Sequence, residues 1–315
     1  MAEVLTIGEP MGLFVAEETK PLKDVEHFTR LVCGAEVNFS IGLARLGHSV
    51  AYVSRLGRDP LGDHIRDFLR ESRIDTSYID EDDYYLTGMQ MKEKTEDGSD
   101  PFVANYRRHT AFSHFDPKSL AKISWEGVRH VHATGIPAAL SASCLEAVER
   151  LMEEARSHGC TVSFDPNLRP MLWESREVMV KTLNHLSSKA DLVMPGLGEG
   201  EILTGSKEPE DVADFYLNQG ASSVVIKLGG SKGAYGKEKD GKAFTVASFP
   251  VKKVVDTVGA GDGFAVGTVS ALLEGLSLSE AVRRGAAIGA LAVMSPGDNE
   301  GLPDRESLKR FMEEG

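Results

Sequence analysis

The sequence predicts an α/β fold in which helices cover both faces of a mainly parallel sheet and a small second sheet lies at one end. Short apolar runs of strand length alternate with runs of helical periodicity along most of the 315 residues, which is the order typical of parallel sheets. A hydrophobic content of 41% supplies a large core. Two segments, about 11–32 and 86–113, interrupt the alternation. We expect residues 1–315 to form a single domain with these segments inserted.

The first half of the chain begins with a strand and then repeats helix and strand. Nearly continuous apolar residues predict strands at 4–8, 50–54 and 128–133. Apolar residues spaced three to four apart predict helices at 35–46 and 62–73. Continuous apolar strands are typical of a sheet that is buried on both faces.

The second half continues the same order. Ser143, followed three residues later by Glu146, predicts the capping box of a helix. The apolar face of that helix is formed by Leu145, Val148, Met152 and Ala155. The remaining predicted elements are strands at 161–164, 191–194 and 224–228 and helices that begin at Gly261, Ser279 and Asp304.

The two interrupting segments contain alternating runs, such as 89–92 and 102–106. Alternation of apolar and polar residues is the pattern of a half-buried strand. We interpret both segments as strands of a small sheet that covers one end of the main domain, where open α/β folds bind ligands. Such a sheet would act as a lid that excludes water. Two ordinary surface hairpins are the alternative interpretation.

Charge and cysteine usage limit the possible partners and compartment. The formal net charge of −13 argues against nucleic acid and against an anionic membrane as partner. The three cysteines lack metal-ligand spacing, so we expect reduced thiols in the cytoplasm. The longest nearly apolar run, 286–294, is too short to span a bilayer, and the N-terminus lacks the basic start of a secretory signal.

Residues 255–264 join a glycine-rich turn to the start of an apolar helix. Backbone N–H groups at the first turn of a helix favour bound phosphate. A carboxylate beside phosphate is repelled by it, so Asp262 needs a reason to be there; orienting and deprotonating a hydroxyl that attacks phosphorus is such a reason. The segment therefore indicates phosphoryl transfer to an alcohol. An ordinary turn with a helix-capping Asp is the alternative.

Other nucleotide and metal motifs do not match the sequence. A P-loop needs Ser or Thr after Gly-Lys, but Gly236-Lys237 precedes Glu and Gly241-Lys242 precedes Ala. The first strand ends in Gly8-Glu9-Pro10 rather than in a dinucleotide-binding glycine fingerprint. Protein-kinase signatures and the His-Glu-x-x-His spacing of zinc hydrolases do not occur.

A second glycine-rich segment runs from Cys33-Gly34 through Asn38 into an apolar helix and is followed by glycines at 47, 57 and 62. This segment resembles the first signature of the ribokinase-like (PfkB) sugar kinases, and 256–262 resembles their second. The two signatures lie about 220 residues apart, as they do in the family. The resemblance implies a ribokinase-like three-layer sandwich with a small β-sheet lid.

The resemblance also implies roles for individual residues. Asp262 matches the catalytic base, which we expect to work with a near-normal pKa because the transition state is loose. Gly259, Ala260 and Gly261 match the anion hole, and Gly259 and Gly261 also the ATP site. The other matched positions are Gly34, Asn38, Met89 and Asp256 for the sugar and Asn167, Lys227 and Gly229 for ATP.

The sequence departs from the family pattern at two places. Cys33-Gly34 stands where the family usually has Gly-Gly, and Gly196 stands where an Asn often precedes the glutamate at Glu199. The resemblance implies that Glu199 organises Mg²⁺ through water. Glu199 is equally well placed for a favourable charge in the first turn of a helix.

Two cationic residues bear on the substrate class, and an ordinary solvated surface arginine is the alternative for either one alone. Arg107 follows Tyr106 in the expected lid, and Arg169 follows the turn 165–168. Arginine is suited to bidentate capture of a carboxylate. With residues 197–201 and 297–303, these motifs resemble 2-keto-3-deoxygluconate kinases. On that resemblance Arg107 and Arg169 hold the carboxylate of a sugar acid, and Tyr106 and Asp298 contact the sugar. The choice between the carboxylate and the phosphates as the partner of Arg169 stays open.

The expected reaction is transfer of the γ-phosphate of MgATP to the 6-hydroxyl of a keto sugar acid. A fructokinase-like enzyme that acts on a neutral sugar is one alternative, and a non-catalytic sugar-acid sensor is another. The sequence leaves open the choice between the gluconate and galactonate epimers. The resemblance further implies a homo-oligomer that pairs through the lid, and it leaves room for a monovalent cation near the anion hole.

Overall fold

The computed structural model describes residues 1–95, 101–295 and 297–314. Its strands, β1 to β13 in chain order, are Val4–Ile7, Met11–Ala16, Phe28–Cys33, Val50–Gly57, Ile79–Asp82, Met89–Lys92, Val103–Tyr106, His130–Thr134, Thr161–Asp165, Leu192–Val193, Ser223–Lys227, Ala234–Glu238 and Phe244–Val246. Its helices, α1 to α10, are Ala35–Arg45, Pro60–Glu71, Gly135–Ala138, Ala142–Ser157, Arg176–Ser187, Leu197–Thr204, Pro209–Asn218, Ala260–Leu273, Leu278–Ala292 and Arg305–Glu314.

The described residues form a nine-stranded main sheet in the order β13-β12-β11-β10-β9-β8-β1-β4-β5. Strands β11 to β5 in this order pair in parallel, and β12 and β13 add an antiparallel edge. The predicted α/β class with a mainly parallel sheet is confirmed. The antiparallel edge was not predicted, because its short, partly exposed strands carry no continuous apolar run.

Successive residues of the central strands face opposite sides of the main sheet. Leu5 and Ile7 belong to one apolar cluster, together with residues of α4, whereas Val4 belongs to the other, together with residues of α8 and α9. This period of two follows from strand geometry and places helices on both faces. The three-layer arrangement is confirmed.

The two interrupting segments supply a second sheet of four strands in the order β3-β2-β6-β7. Strand β2 pairs antiparallel with β3 and parallel with β6, and β6 pairs antiparallel with β7. The expected strands are therefore present in both segments; residues 96–100 of the segment 86–113 lie outside the described residues. We call this unit the small sheet.

One predicted helix start was wrong. Helix α4 begins after Ser141, whose hydroxyl accepts a hydrogen bond from the N–H of Cys144 at 3.1 Å. Ser141 has the extended backbone of an N-cap, so Ser143 already lies in the first turn. The predicted capping box of Ser143 and Glu146 is thus replaced by a single serine cap two residues earlier.

Within the described residues, no helix combines the length and the apolar composition needed to cross a membrane.

Candidate active site

The start of helix α8 lies at the centre of the candidate site. Gly259 is its N-cap, with a φ of 79°, a conformation that disfavours residues with a Cβ. A Cβ at Gly259 would also collide with the backbone oxygen of Asp298. Glycine is therefore required here twice over. The first-turn N–H groups, including those of Ala260 and Gly261, lack intrahelical partners and can receive an anion.

Asp262 lies in the first turn of α8, and its Oδ2 accepts a hydrogen bond from Nδ2 of Asn38 at 2.8 Å. Asn38 is buried in α1, so the two signature segments meet although 224 residues separate them. Burial raises the pKa of Asp262, while the bond from Asn38 and the charges of Arg169 and Lys227 act in the opposite direction. The pKa is raised rather than near normal, because burial outweighs the polar neighbours.

Gly34 and Glu36 lie at the start of helix α1, in the turn that leads to Asn38. Gly34 is the N-cap, with a φ of 143°. Glu36 is buried and accepts a hydrogen bond from the hydroxyl of Thr134 at 2.5 Å. Burial raises the pKa of Glu36 to about 7, although the bond from Thr134 opposes the shift.

Lys227 brings a cation to the start of α8. It ends β11, and its Nζ lies 2.5 Å from Oδ2 of Asp165 at the end of β9. A Cβ at Gly261 would lie 3.5 Å from the same Nζ. Burial acts to lower the pKa of Lys227, but the carboxylates of Asp165, Glu199 and Asp262 together outweigh it and the pKa is raised. Lys227 is therefore an ammonium next to the expected anion hole.

The pKa of Asp165, the partner of Lys227, is shifted as well. Burial raises the pKa of Asp165 to about 6, and the ammonium of Lys227 opposes that shift.

Gly229 lies in the turn after β11, with a φ of 75° and open space where a Cβ would lie. The turn can therefore approach a ligand closely.

Glu199 is a helix-capping residue in this structure. Its Oε2 accepts from the N–H of Gly196 at 2.7 Å and its Oε1 accepts from the N–H of Leu168 at 2.8 Å. These bonds join α6 to the turn after β9, which contains Asn167 with a φ of 42° and the exposed Arg169. Glu199 therefore has the position in the first turn of a helix that was the alternative interpretation. Its contribution to a metal site stays a prediction.

The small sheet places Arg107 in an ion pair that the sequence did not predict. Its Nε and Nη2 lie 2.8 and 2.7 Å from Oε2 of Glu9, and both residues are buried. Thr110 donates to the other oxygen of Glu9 at 2.5 Å. Met89 and Tyr106 are register partners in β6 and β7, but Tyr106 is 55% exposed. Arg107 therefore has an internal carboxylate partner already.

A second charged cluster connects the small sheet to the loop before α8. Nζ of the buried Lys92 lies 2.6 Å from Oδ2 of Asp256 and 4.0 Å from Oδ1 of Asp298. Burial raises the pKa of Asp298 to about 6, and the charge of Lys92 opposes the shift. Asp256 also accepts from the N–H of Val258 at 3.0 Å.

Comparison with known proteins gives this geometry a family. The sequence model described as pfkB family carbohydrate kinase matches residues 1–305. The chain belongs to the pfkB family of carbohydrate kinases. The predicted resemblance is confirmed, and the chain is an α/β carbohydrate kinase.

Two relatives of this pfkB chain are 2-dehydro-3-deoxygluconokinases. The 2-dehydro-3-deoxygluconokinase of Bacillus subtilis (strain 168) is 45% identical over 98% of this chain and 95% of its own length. The 2-dehydro-3-deoxygluconokinase of Thermoproteus tenax is 30% identical over 99% of this chain and 94% of its own.

Solved structures resemble the pfkB chain over its full length. A PfkB protein from Polaromonas sp. JS666 is 45% identical, with a TM-score of 0.90 over 98% of this chain and 99% of that one. A putative ribokinase II from E. coli, in complex with ATP and Mg²⁺, is 25% identical, with a TM-score of 0.90 over all of both chains.

Sequence reasoning missed four charged residues near the pfkB site: Glu9, Glu36, Lys92 and Asp165. The available signals were a charged residue inside an otherwise apolar run, as at Glu36, and a lysine that ends an alternating strand, as at Lys92. Both patterns are also typical of exposed residues.

Proposed function

We propose that this chain transfers the γ-phosphate of ATP to the 6-hydroxyl of 2-dehydro-3-deoxygluconate. The observation that carries the proposal is the placement of Asp262 in the first turn of α8, held by Asn38 from the other signature segment. The two relatives named 2-dehydro-3-deoxygluconokinase, at 45% and 30% identity, support this substrate.

The residues around Asp262 fit the role of a general base. Its carboxylate can accept the proton of the attacking hydroxyl, and Asn38 fixes its orientation. The N–H groups at Gly259, Ala260 and Gly261 can receive charge on the transferred phosphoryl group, with the ammonium of Lys227 beside them. Asp262 alone would hydrogen-bond a hydroxyl, but with these donors it can direct the hydroxyl at phosphorus.

Two arginines support a sugar acid as substrate. The contacts of Arg107 with Glu9 use Nε and Nη2, so Nη1 can still donate to a substrate carboxylate. Arg169 is exposed on the turn after β9, and its charge acts on Asp262. We infer that these two guanidinium groups bind the carboxylate from opposite sides, with Met89, Tyr106, Asp256 and Asp298 near the sugar.

Mg²⁺ fits this site as an ion held by ATP and water. Among residues 1–95, 101–295 and 297–314, no cluster of three or more His, Cys, Asp or Glu side chains forms a metal site. Mg²⁺ keeps several waters and is often bound through substrate phosphates. Glu199 and Asp165 would orient such waters, and the ion would neutralise phosphate charge. A fructokinase of Vibrio cholerae O395 has been solved with potassium, so a monovalent cation is included among the proposed ligands.

We also propose that the small sheet pairs with a second copy of the chain. Its edge strand β7 ends at Tyr106, which is 55% exposed. Phe102, directly before the strand, is 62% exposed. An apolar sheet edge left in water invites pairing with another chain. The net charge of −13 offers nothing to nucleic acid or to an anionic membrane. Light scattering at several concentrations tests for the dimer.

One observation favours a second candidate, a kinase of a neutral sugar such as fructose. Arg107 is neutralised by Glu9, and a neutral substrate needs no free guanidinium. A non-catalytic sensor, in contrast, has no use for a base aimed at phosphorus. The carboxylate requirement separates the two kinases.

A coupled ADP-release assay with MgATP tests the proposal. The substrates are 2-dehydro-3-deoxygluconate, its galactonate epimer, gluconate, fructose and ribose at matched concentrations. Preference for the keto acids supports the proposal, and the epimer pair then shows how stereochemistry is selected. Preference for fructose or ribose rejects the carboxylate site but keeps Asp262 as base. If none of these sugars is turned over with ATP, the proposed substrate class is rejected.

A further inference from the structure

The charged cluster of Lys92, Asp256 and Asp298 joins the small sheet to the loop that carries the expected anion hole. Lys92 ends β6 and is only 7% exposed. A buried ammonium is costly unless it is paired. Its 2.6 Å contact with Asp256 supplies that pairing across 164 residues of sequence.

Asp256 transmits this contact to the backbone. Its Oδ2 accepts from Lys92, while its Oδ1 accepts from the N–H of Val258 at 3.0 Å. Val258 directly precedes Gly259, the N-cap of α8. One carboxylate therefore connects an ammonium of the small sheet to the turn that aims the first-turn N–H groups of α8.

Asp298 holds the same turn from the other side. Its backbone oxygen lies where a Cβ of Gly259 would be, so the two backbones are in close contact. Its Oδ1 is buried without a hydrogen-bond partner among the described residues and lies 4.0 Å from Nζ of Lys92. The next residue, Asn299, donates to the backbone oxygen of Val32 in β3 at 3.3 Å. The small sheet thus contacts both the loop before Gly259, through Lys92, and the segment 298–299 that packs against Gly259, through Val32.

We propose that Lys92 is a positioning residue for phosphoryl transfer, and that it acts through Asp256 on the turn of the anion hole. The proposal rests on the proposed kinase function. The Lys92 ammonium offsets the repulsion between the carboxylates of Asp256 and Asp298, so that the turn is fixed only while the small sheet lies against it. Lys92 itself touches neither ATP nor the reacting hydroxyl.

A double-mutant cycle tests this role. Lys92→Met removes the charge but keeps the length of the side chain, and Asp256→Asn removes its partner. We expect Lys92→Met to lower kcat about ten- to a hundredfold, the usual effect of losing a hydrogen bond to a buried charge. In Lys92→Met, KM for the sugar and KM for ATP should change less than about threefold. The double variant should be no slower than the slower single variant, because both act through one contact.

Lys94→Met is the matched control, since Lys94 is exposed two residues further along and its Nζ donates to the backbone oxygen of Glu17 at 3.3 Å. It should keep wild-type kcat. Thermal denaturation of every variant separates loss of fold from loss of positioning. The double variant removes both charges of the Lys92–Asp256 contact and, with them, the repulsion between Asp256 and Asp298, so it is expected to fold even where Lys92→Met does not.

Three results would overturn the proposal: an unchanged kcat in Lys92→Met, a raised sugar KM with kcat retained, or additive effects in the cycle. The second result would show that Lys92 supports the sugar contacts of Asp256 and Asp298 rather than the turn of the anion hole. Failure of the proposed function is seen separately, as absent turnover of the keto acid by the wild-type enzyme. The cycle is then run on whichever sugar is turned over, because the turn serves the phosphoryl group rather than the sugar.

Discussion

At the residue scale, the proposed mechanism depends most directly on Asp262. Asp262→Asn keeps the size of the side chain and the N-terminal position in α8 but cannot accept the hydroxyl proton. We expect kcat to fall by about 10²- to 10⁴-fold, the usual contribution of a general base, with ATP affinity retained. Steady-state kinetics and calorimetric titration of ATP measure the two quantities.

The matched control for this variant is Asp63→Asn. Asp63 also lies in the first turn of a helix, α2, but is exposed. Its kcat should equal that of the wild type. An Asp262→Asn enzyme that keeps more than about a third of wild-type kcat would remove the general base from the mechanism.

Arg107 needs a different design, because truncating it alone leaves the buried Glu9 unpaired. Breaking a buried ion pair in this way costs about 3–5 kcal/mol of folding free energy. The double variant Glu9→Gln/Arg107→Met avoids that cost. We expect it to raise KM for the keto acid at least about tenfold, as loss of a charged contact does, and to leave KM for ATP unchanged.

The control for Arg107 is its exposed neighbour in Arg108→Met, which should keep both KM values. KM for fructose, if fructose is turned over, should not respond to Glu9→Gln/Arg107→Met. Equal rises for acidic and neutral sugars would show that the pair supports the fold of the pocket and does not recognise a carboxylate.

At the residue scale, the sequence predicted local conformation: the structure has the glycine turn and the helix start at Gly259, and Asp262 in the first turn. The turn at Gly259 and the carboxylate at Asp262 are adjacent in sequence, so one motif defines both. The partners of Lys92 and Arg107 lie 164 and 98 residues away. No local pattern specifies such pairs, because burial of the charge depends on how the small sheet lies against the loops.

At the element scale, the N-terminus of α8 depends on the backbone of Gly259. Gly259→Ala adds a Cβ at positive φ and against the backbone oxygen of Asp298. The turn must shift, so we expect kcat to fall more than about tenfold, because the N–H donors of the anion hole move with it. Steady-state kinetics measures kcat, and thermal denaturation reports the lost stability.

Gly275→Ala separates strain from collision. Gly275 follows α8 with a nearly equal φ of 81°, but its Cβ would meet open space. It should lose about 1–2 kcal/mol of folding free energy from the left-handed backbone alone and keep wild-type kcat. If Gly259→Ala behaved like Gly275→Ala, the close approach of Asp298 would have no functional role.

Elements were predicted best where they are buried on both faces. Strands β1 and β8 were located to within about two residues, and β4 begins at the predicted Val50 but ends three residues later than predicted, at Gly57. Strands β12 and β13 were missed because edge strands carry polar residues. Helix α4 was placed correctly, but two nearby serines offered equivalent caps, and only backbone geometry selects Ser141.

At the scale of the whole molecule, stability should depend on two buried histidines in the main sheet. His130 and His132 in β8 share the hydroxyl of Ser163, at 2.7 and 2.8 Å. Burial lowers the pKa of His130 to about 3 and also lowers that of His132. A histidine in the unfolded chain has a pKa of about 6.5. Each therefore stabilises the fold fully above pH of about 6.5. This stability is lost as the pH falls, toward 3 in the case of His130.

Burial shifts the acidic groups in the opposite sense. The raised pKa of Glu36, about 7, means that the folded state holds its proton more tightly than the unfolded state does. Its contribution to stability is present below the unfolded pKa of about 4.3 and is lost as the pH rises through 7. The total pH profile thus mixes both signs, and a variant is needed to isolate one histidine.

His130→Gln removes one titrating group and keeps a polar side chain between Thr161 and Ser163. From pH 7 to pH 5, the wild-type free energy of unfolding should fall by about 2 kcal/mol more than that of His130→Gln, which is one histidine protonating only when unfolded. Urea unfolding at both pH values gives the difference, in which the acidic groups cancel. The exposed His158→Gln should follow the wild-type profile. Parallel profiles for wild type and His130→Gln would mean that water reaches His130 in the folded state, so that β8 is not sealed in the core.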